Sequence, residues 1–201
     1  MLQRASFFNP GERVLDVGCG PGYLAAHLSG RMKCSVVGVE QDPRLADMAR
    51  QSCVAVHQRD LEREGLRGIP GRYSAIFFGD VIEHVRNAPE LLRQAADLLE
   101  TDGRVIVSTP NFVHVKNRIR VLLGSFEYRD AGLLDRTHVH FYTRKTLLGL
   151  LAEVGFEPTR VDYTTGMMDL SSAAHRVLYA FARAYPNLFA YQFIVSARPK
   201  Q

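Results

Sequence analysis

Cysteine is scarce in this chain: 201 residues carry three, Cys19, Cys34 and Cys53. An odd number without metal-type spacing argues against a disulfide framework or a zinc site. It leaves three small apolar side chains in a reducing compartment. Long apolar runs are missing too. No stretch reaches the roughly 18 residues that a membrane span needs, and no charged-then-apolar leader with a cleavage site is present. The expectation is a soluble, cytoplasmic protein with no membrane span. Internal repeats, low-complexity tracts and linkers are likewise absent, so one domain over residues 1–201 is expected.

A dense basic stripe is also lacking. The net charge is +4, and the basic residues are scattered apart from one group at Lys116, Arg118 and Arg120. A nucleic-acid groove interleaves aromatic residues with a denser run of cations, so no nucleic-acid partner is expected. Mild basicity suits a solvated face, or an anionic or sugar-linked small substrate. A hydrophobic share of 46% with 23% charged residues fits a globular chain.

What is present is concentrated in Val14-Leu15-Asp16-Val17-Gly18-Cys19-Gly20-Pro21-Gly22-Tyr23. An apolar run with one acid ends in glycines at every second position, and a helical pattern follows. This reads as a buried strand, a tight turn and a helix N-terminus. Glycines let the backbone approach a ligand closely, and a helix start offers free N–H groups. A dinucleotide turn wants G-x-G-x-x-G, but here the last position is Tyr23 and the third glycine comes one residue early. That argues against a nicotinamide-dependent oxidoreductase. A phosphate loop needs a Lys-Ser/Thr pair, which is missing. About twenty residues on, Ser35–Glu40 is a second apolar strand ending in a carboxylate, which can accept hydrogen bonds from both hydroxyls of a ribose.

Strand-like and helix-like segments alternate along the chain. Strands are expected at Arg13–Cys19, Ser35–Glu40, Val54–Gln58, Tyr73–Gly79, Arg104–Ser108, Phe156–Tyr163 and Gln192–Ala197. Helices are expected from Tyr23, from Asp42-Pro43 to about Arg50, and over Pro89–Leu99, Val115–Leu123, Arg144–Val154 and Ser171–Ala184. Thr101-Asp102-Gly103 reads as a helix stop. The alternation implies an α/β fold with a parallel sheet covered on both faces. Ligands in such sheets bind at the carboxyl ends of the strands, where the glycine turn, Glu40, Asp60 and Asp80 all fall. Residues 109–143 are too long for a simple connector and read as a lid-like segment.

With Asp16 included, the glycine segment resembles motif I of the class I S-adenosylmethionine (SAM)-dependent methyltransferases, D-x-G-x-G-x-G. The resemblance covers about residues 10–160. It implies a Rossmann-like, doubly wound, seven-stranded and mostly parallel sheet whose last strand is antiparallel. It also implies a cofactor-binding set of Asp16, Gly18, Gly20, Gly22, Tyr23, Glu40, Gln41, Asp60, Leu61, Gly79 and Asp80. In that family Glu40 takes the ribose, Asp60 the adenine amino group and the backbone of Leu61 the ring. Gly79 and Asp80 form the floor under the methyl. Few residues precede the first strand, so Phe7 and Phe8 would cover part of the cofactor, and the pocket is otherwise either more open or closed by the 109–143 segment or a second subunit, with which an oligomer is compatible.

Phe77-Phe78-Gly79-Asp80-Val81-Ile82-Glu83-His84-Val85 resembles motif IV of small-molecule methyltransferases. A helix starting near Asp80 would place Asp80, Glu83 and His84 at i, i+3 and i+4 on one face. In the ubiquinone O-methyltransferases a similar set is associated with a divalent metal. Without a metal, His84 is a general base for a hydroxyl, and Glu83 orients it. The Pro-Pro-aromatic loop of DNA and protein amide methyltransferases is absent. Asp135–Thr143 resembles the D-x-x-H-x-x-F-(F/Y)-(T/S) segment of methyltransferases from surface-polysaccharide, small-molecule and quinone pathways. It adds His138 as a second candidate base. His140 points the same way in an extended chain, and Thr143 is a helix N-cap. The catalytic candidates are therefore His84, His138 and Glu83. The expected reaction moves the SAM methyl to a small molecule, at oxygen in a sugar or quinone-like acceptor, leaving S-adenosylhomocysteine (SAH). The alternative is a non-catalytic SAM- or SAH-binding protein that regulates a partner enzyme.

Overall fold

The computed structural model describes residues 6–130, 132–165 and 173–200. Strand β1 (Arg13–Val17) shows why a doubly covered sheet forms. Val14, Leu15, Asp16 and Val17 are all buried, as happens only when both faces of a strand are covered. Alternation sorts them. Leu15 and Val17 join one core, with Val37, Ile76 and Phe78 from neighbouring strands. Val14 joins the other, with Val36, Ala75 and Phe77.

The remaining strands are β2 (Ser35–Glu40), β3 (Ala55–Gln58), β4 (Tyr73–Gly79), β5 (Leu99–Pro110), β6 (Phe156–Thr164) and β7 (Gln192–Pro199). They form one seven-stranded sheet in the order β3-β2-β1-β4-β5-β7-β6. The first five run parallel, and β7 is antiparallel to both β5 and β6. This is the expected doubly wound, Rossmann-like architecture. The strand order reverses between β1 and β4, and ligand clefts in such sheets open at that point. Val17 is in register with both Val39 and Phe78, so three strand ends reach the same edge together.

The helices are α1 (Tyr23–Met32), α2 (Pro43–Ala49), α3 (Ala88–Asp97), α4 (Val115–Leu122), α5 (Arg144–Glu153), α6 (Ala173–Ala184) and the short α7 (Pro186–Phe189). Helix α2 starts as expected: Asp42 accepts from the N–H groups of Arg44 and Leu45, with proline at the first position. Thr143 caps α5 in a reciprocal box with Thr146. On one sheet face α3 and α5 contribute Leu91, Leu92, Leu147 and Leu151. On the other, α1 contributes Leu24, Ala25 and Leu28. No described helix is long and apolar enough to cross a membrane, and all three cysteines are free and buried.

Three expectations change. The helix expected from Asp80 does not form; residues 82–84 make a turn, closed by His84 N–H donating to the Val81 carbonyl at 2.9 Å, and α3 starts only at Ala88. Asp80 itself, with a left-handed φ of 59°, has no place inside a right-handed helix. Thr101-Asp102-Gly103 lies inside β5 rather than after a helix, beside a register shift opposite Tyr73 and Ala75. Phe7 and Phe8 are core residues packed with Val14, Leu28 and Phe77, not a cover over the cleft. The helix expected over Ser171–Ala184 is described from Ala173; Ser171 and Ser172 lie outside the described residues.

Residues 109–143 leave and rejoin the body at one point. Asn111 bridges Tyr142, and the Phe112 N–H donates to the Tyr142 carbonyl at 3.0 Å. Between them the chain forms α4, capped by the His114 side chain, and then returns over the turn after β4.

Candidate active site

The glycine turn after β1 is shaped by its neighbours. Gly18 has φ of 70°, and a Cβ there would lie 2.6 Å from Val81 Cγ2. Backbone and turn thus meet at van der Waals contact, which no other residue type permits. Gly22, φ 84°, caps α1 in the left-handed region, and a Cβ on it would press on Ala49 Cα at 3.0 Å. The Val39 carbonyl accepts from Gly18 and Cys19 N–H at 2.8 and 3.0 Å. Burial and a hydrogen bond with Cys53 keep Cys19 a neutral thiol, the bond being the larger influence.

Glu40 does more than end β2. One carboxylate oxygen accepts from Gly20 N–H at 2.8 Å, and the other from Gln41 and Asp42 N–H at 2.8 and 2.9 Å. One side chain therefore fixes both the glycine turn and the exit of its own strand. Sequence spacing brought Glu40 to the site but gave no sign of this second duty. Asp60 behaves similarly, accepting from Glu62 N–H at 2.9 Å and so capping the turn that carries Leu61.

Two cavities of about 210 Å³ flank Gly18, which lines both. The first is walled by Glu40, Gln41, Asp60, Leu61, Asp80, Val81 and His84. The second is walled by Asp16, Cys19, Tyr23, Leu24, Phe77 and Gly79. The expected cofactor residues thus fall into two connected groups, one rich in acceptors and one around the strand exit. Gly20 and Gly22 line neither cavity, and they act through the shape of the turn.

The turn after β4 closes the first cavity. Asp80 accepts from Ser108 Oγ at 3.0 Å and from Gln192 Nε2 at 2.9 Å, tying β4 to β5 and β7. Because no helix starts here, Asp80, Glu83 and His84 do not share a helix face, although no metal was expected at them. The described residues instead bring ligand-capable atoms of Glu83, His84 and His138 within 4.8 Å of one another. Glu83 is only 1% exposed, and the rings of His84 and His138 meet edge-on at 4.7 Å. Burial, and then the neighbouring His84, push the His138 pKa below its usual value. Burial, and then Glu83, push the Tyr142 phenol up to about 12.

The 109–143 segment reaches this turn directly. Val139 and His140 N–H both donate to the Glu83 carbonyl, at 2.9 and 3.1 Å. His140 Nε2 donates to the Arg86 carbonyl at 2.9 Å, so His140 holds the segment down while His138 faces His84. Sequence reading missed Ser108, Thr137 and Gln192, although each touches a site residue. Thr137 carried a signal in its place between Asp135 and His138, whereas Gln192 arrives from a strand far along the chain and carried none.

Known proteins resemble this chain in sequence and in fold. The methyltransferase-domain family model matches residues 1–161. A ubiquinone biosynthesis O-methyltransferase of Cereibacter sphaeroides (strain KD131) is 30% identical over 154 residues, 74% of this chain and 61% of that one. The protein of the same name from Xanthomonas campestris pv. campestris (strain B100) is 36% identical over 107 residues, 51% of this chain and 44% of that one. The chain thus spans less than two thirds of these curated relatives, 61% and 44% of their lengths. Among solved structures, an S-adenosylmethionine-dependent methyltransferase from Mesorhizobium loti superposes with a TM-score of 0.69 at 18% identity, covering 98% of this chain and 96% of that one. The magnesium protoporphyrin IX methyltransferase of Synechocystis PCC 6803 with bound SAH gives 0.64 at 20% identity, covering 98% and 78%. At these identities the likeness is one of fold.

Proposed function

We propose a reaction from one premise: this chain belongs to the class I SAM-dependent methyltransferase family, whose domain model covers residues 1–161. SAM supplies a methyl group on a sulfonium centre. The residues present fit its adenosyl part, because the first cavity sets two acceptor-only carboxylates, Glu40 and Asp60, beside a backbone without a Cβ at Gly18. Glu40 takes the ribose hydroxyls with Gln41 at the rim. Asp60 accepts from the adenine amino group, and Leu61 meets the ring. Asp16, Tyr23 and Gly79 line the methionine side, and Asp80, in the wall of the first cavity, joins Gly79 as the floor under the methyl.

The acceptor is a hydroxyl of a small molecule, sugar or quinone-like. His84 removes its proton, Glu83 and His138 hold the ring in place, and the chain contributes mainly position and exclusion of water. The observation that carries this reading is that His84 lines the same cavity as Glu40 and Asp60. Calorimetric titration with SAM is the first test, and folded protein that shows no binding at micromolar concentrations removes the reading. Methyl transfer to a catechol and to a hexose then separates an enzyme from a silent SAM-binding regulator, which would bind without turnover on any acceptor. Chelation with EDTA is expected to leave turnover intact. A loss restored by Mg²⁺ would instead assign Glu83, His84 and His138 to a cation.

Gly18→Ala gives an independent check on the turn. The new Cβ meets Val81 at 2.6 Å in a left-handed backbone, and such strain costs about 1–3 kcal/mol. SAM affinity is expected to fall about tenfold or more, with a lower melting temperature, read by thermal melts with and without SAM.

A further inference from the structure

We propose that Thr137, oriented by Asp135, fixes His84 as its Nδ1-protonated tautomer and leaves Nε2 as the proton acceptor. Asp135 and Thr137 are then positioning residues. The inference rests on the reading of His84 as the base and adds the device that prepares it.

The argument is an accounting of protons. His84 Nδ1 lies 3.0 Å from Thr137 Oγ1 and 3.2 Å from the Thr137 carbonyl. A carbonyl only accepts. A hydroxyl has one proton to give, and Thr137 Oγ1 gives it to Asp135 Oδ1 at 2.6 Å. The Thr137 N–H donates to the same oxygen at 2.8 Å, so two donors converge on Asp135 from one residue. That convergence, the side-chain bond above all, holds the Asp135 carboxyl below its usual pKa. Asp135 is therefore an anion that can only accept. Turning the hydroxyl toward His84 would set two lone pairs face to face at 2.6 Å. Both neighbours of His84 Nδ1 are thus acceptors, and its proton sits there. In a neutral imidazole the lone pair is then on Nε2.

Three features keep the arrangement in register without belonging to it. Val139 and His140 N–H fasten the segment to the Glu83 carbonyl, His140 Nε2 fastens it to Arg86, and His138 meets the His84 ring edge-on. The base is complete only while residues 135–138 rest on the turn at 82–84. The 109–143 segment thus carries part of the catalytic geometry as well as covering the site.

The test reads the tautomer itself. The full chain, labelled with ¹⁵N at histidine and saturated with SAH, is examined by long-range ¹H–¹⁵N correlation at a pH where His84 is neutral. Its signals are assigned by their loss in His84→Ala. Wild type is expected to show a protonated Nδ1 and a bare Nε2. Asp135→Ala frees the Thr137 hydroxyl to donate, so the population is expected to move toward the Nε2-protonated form. Thr137→Val keeps the shape but removes the hydroxyl and is expected to broaden or mix the signals, while Thr137→Ser restores the wild-type pattern. With a catechol acceptor, Asp135→Ala and Thr137→Val are expected to lose about tenfold or more in kcat, with KM for SAM unmoved. A wild-type Nε2–H tautomer, or spectra unchanged in both variants, overturns the proposal. Full turnover in His84→Ala would sink the base reading alone, and the tautomer assignment would still stand or fall on the spectra.

Discussion

Glu40→Ala is expected to weaken SAM binding by about 100-fold or more, the largest effect of any single change at the cofactor side. The carboxylate takes three backbone N–H groups, those of Gly20, Gln41 and Asp42, and in the proposed complex it also takes the ribose hydroxyls. Hydrogen bonds to a charged group contribute about 1.5–3 kcal/mol each, less where water competes. Losing the ribose contacts and loosening the glycine turn together corresponds to roughly 3 kcal/mol, which is two decades in affinity. Glu40→Gln separates the two duties. It keeps one acceptor oxygen but points an NH₂ at a backbone donor, so its affinity should fall between the other two. Calorimetry on all three proteins decides the matter. An alanine variant that binds within about threefold of wild type would remove Glu40 from the ribose and leave it a turn anchor only.

His84→Ala should give the largest loss on the chemical side. A positioned acid or base contributes about 10²–10⁴ in rate, so kcat should fall by that range while the SAM dissociation constant stays within about twofold. His84 shares the wall of the first cavity with Glu40 and Asp60, and alanine in its place keeps both carboxylates. His138→Ala tests the division of labour. Burial and the neighbouring ring push the His138 pKa down, which keeps this ring neutral, as a packing partner for His84 should be. Its loss should cost less than that of His84. Equal losses in both variants would show that the pair shares the proton. The measurement is single-turnover methyl transfer alongside calorimetry with SAM.

The proposed cofactor half of the site was legible because its signals are local. Val14 to Val17 announce a buried strand, Gly18 and Gly22 announce positive φ, and Glu40 falls at the end of the next apolar run. Each of these depends on neighbours a few residues away, and the parallel register then brings them to one edge. The proposed catalytic half was legible in its residues but not in its arrangement. The i, i+3, i+4 spacing of Asp80, Glu83 and His84 presupposes a right-handed helix, and the left-handed Asp80 removes that premise. His138 takes the place expected of Asp80, while Asp80 turns away to Ser108 and Gln192. Such partners come from segments 28 and 112 residues distant, and no periodicity in a single sequence reports them. The double duty of Glu40 is hidden for a related reason, since a carboxylate at a strand end looks the same whether it faces a ligand, a backbone or both.

The placement of β7 has a consequence for how the molecule is made. The sheet closes out of chain order, because β7 enters between β5 and β6. During synthesis β6 emerges before the strand it pairs with, and its edge stays open until residues 192–199 have cleared the ribosome. The same late strand brings Gln192 to Asp80. A nascent chain can therefore build the glycine turn early, from segments close in sequence, whereas the floor of the cleft waits for β7, the last strand of the sheet to emerge. Long-range closure of this kind slows folding. Refolding followed at the glycine turn should accordingly run ahead of refolding followed at Asp80.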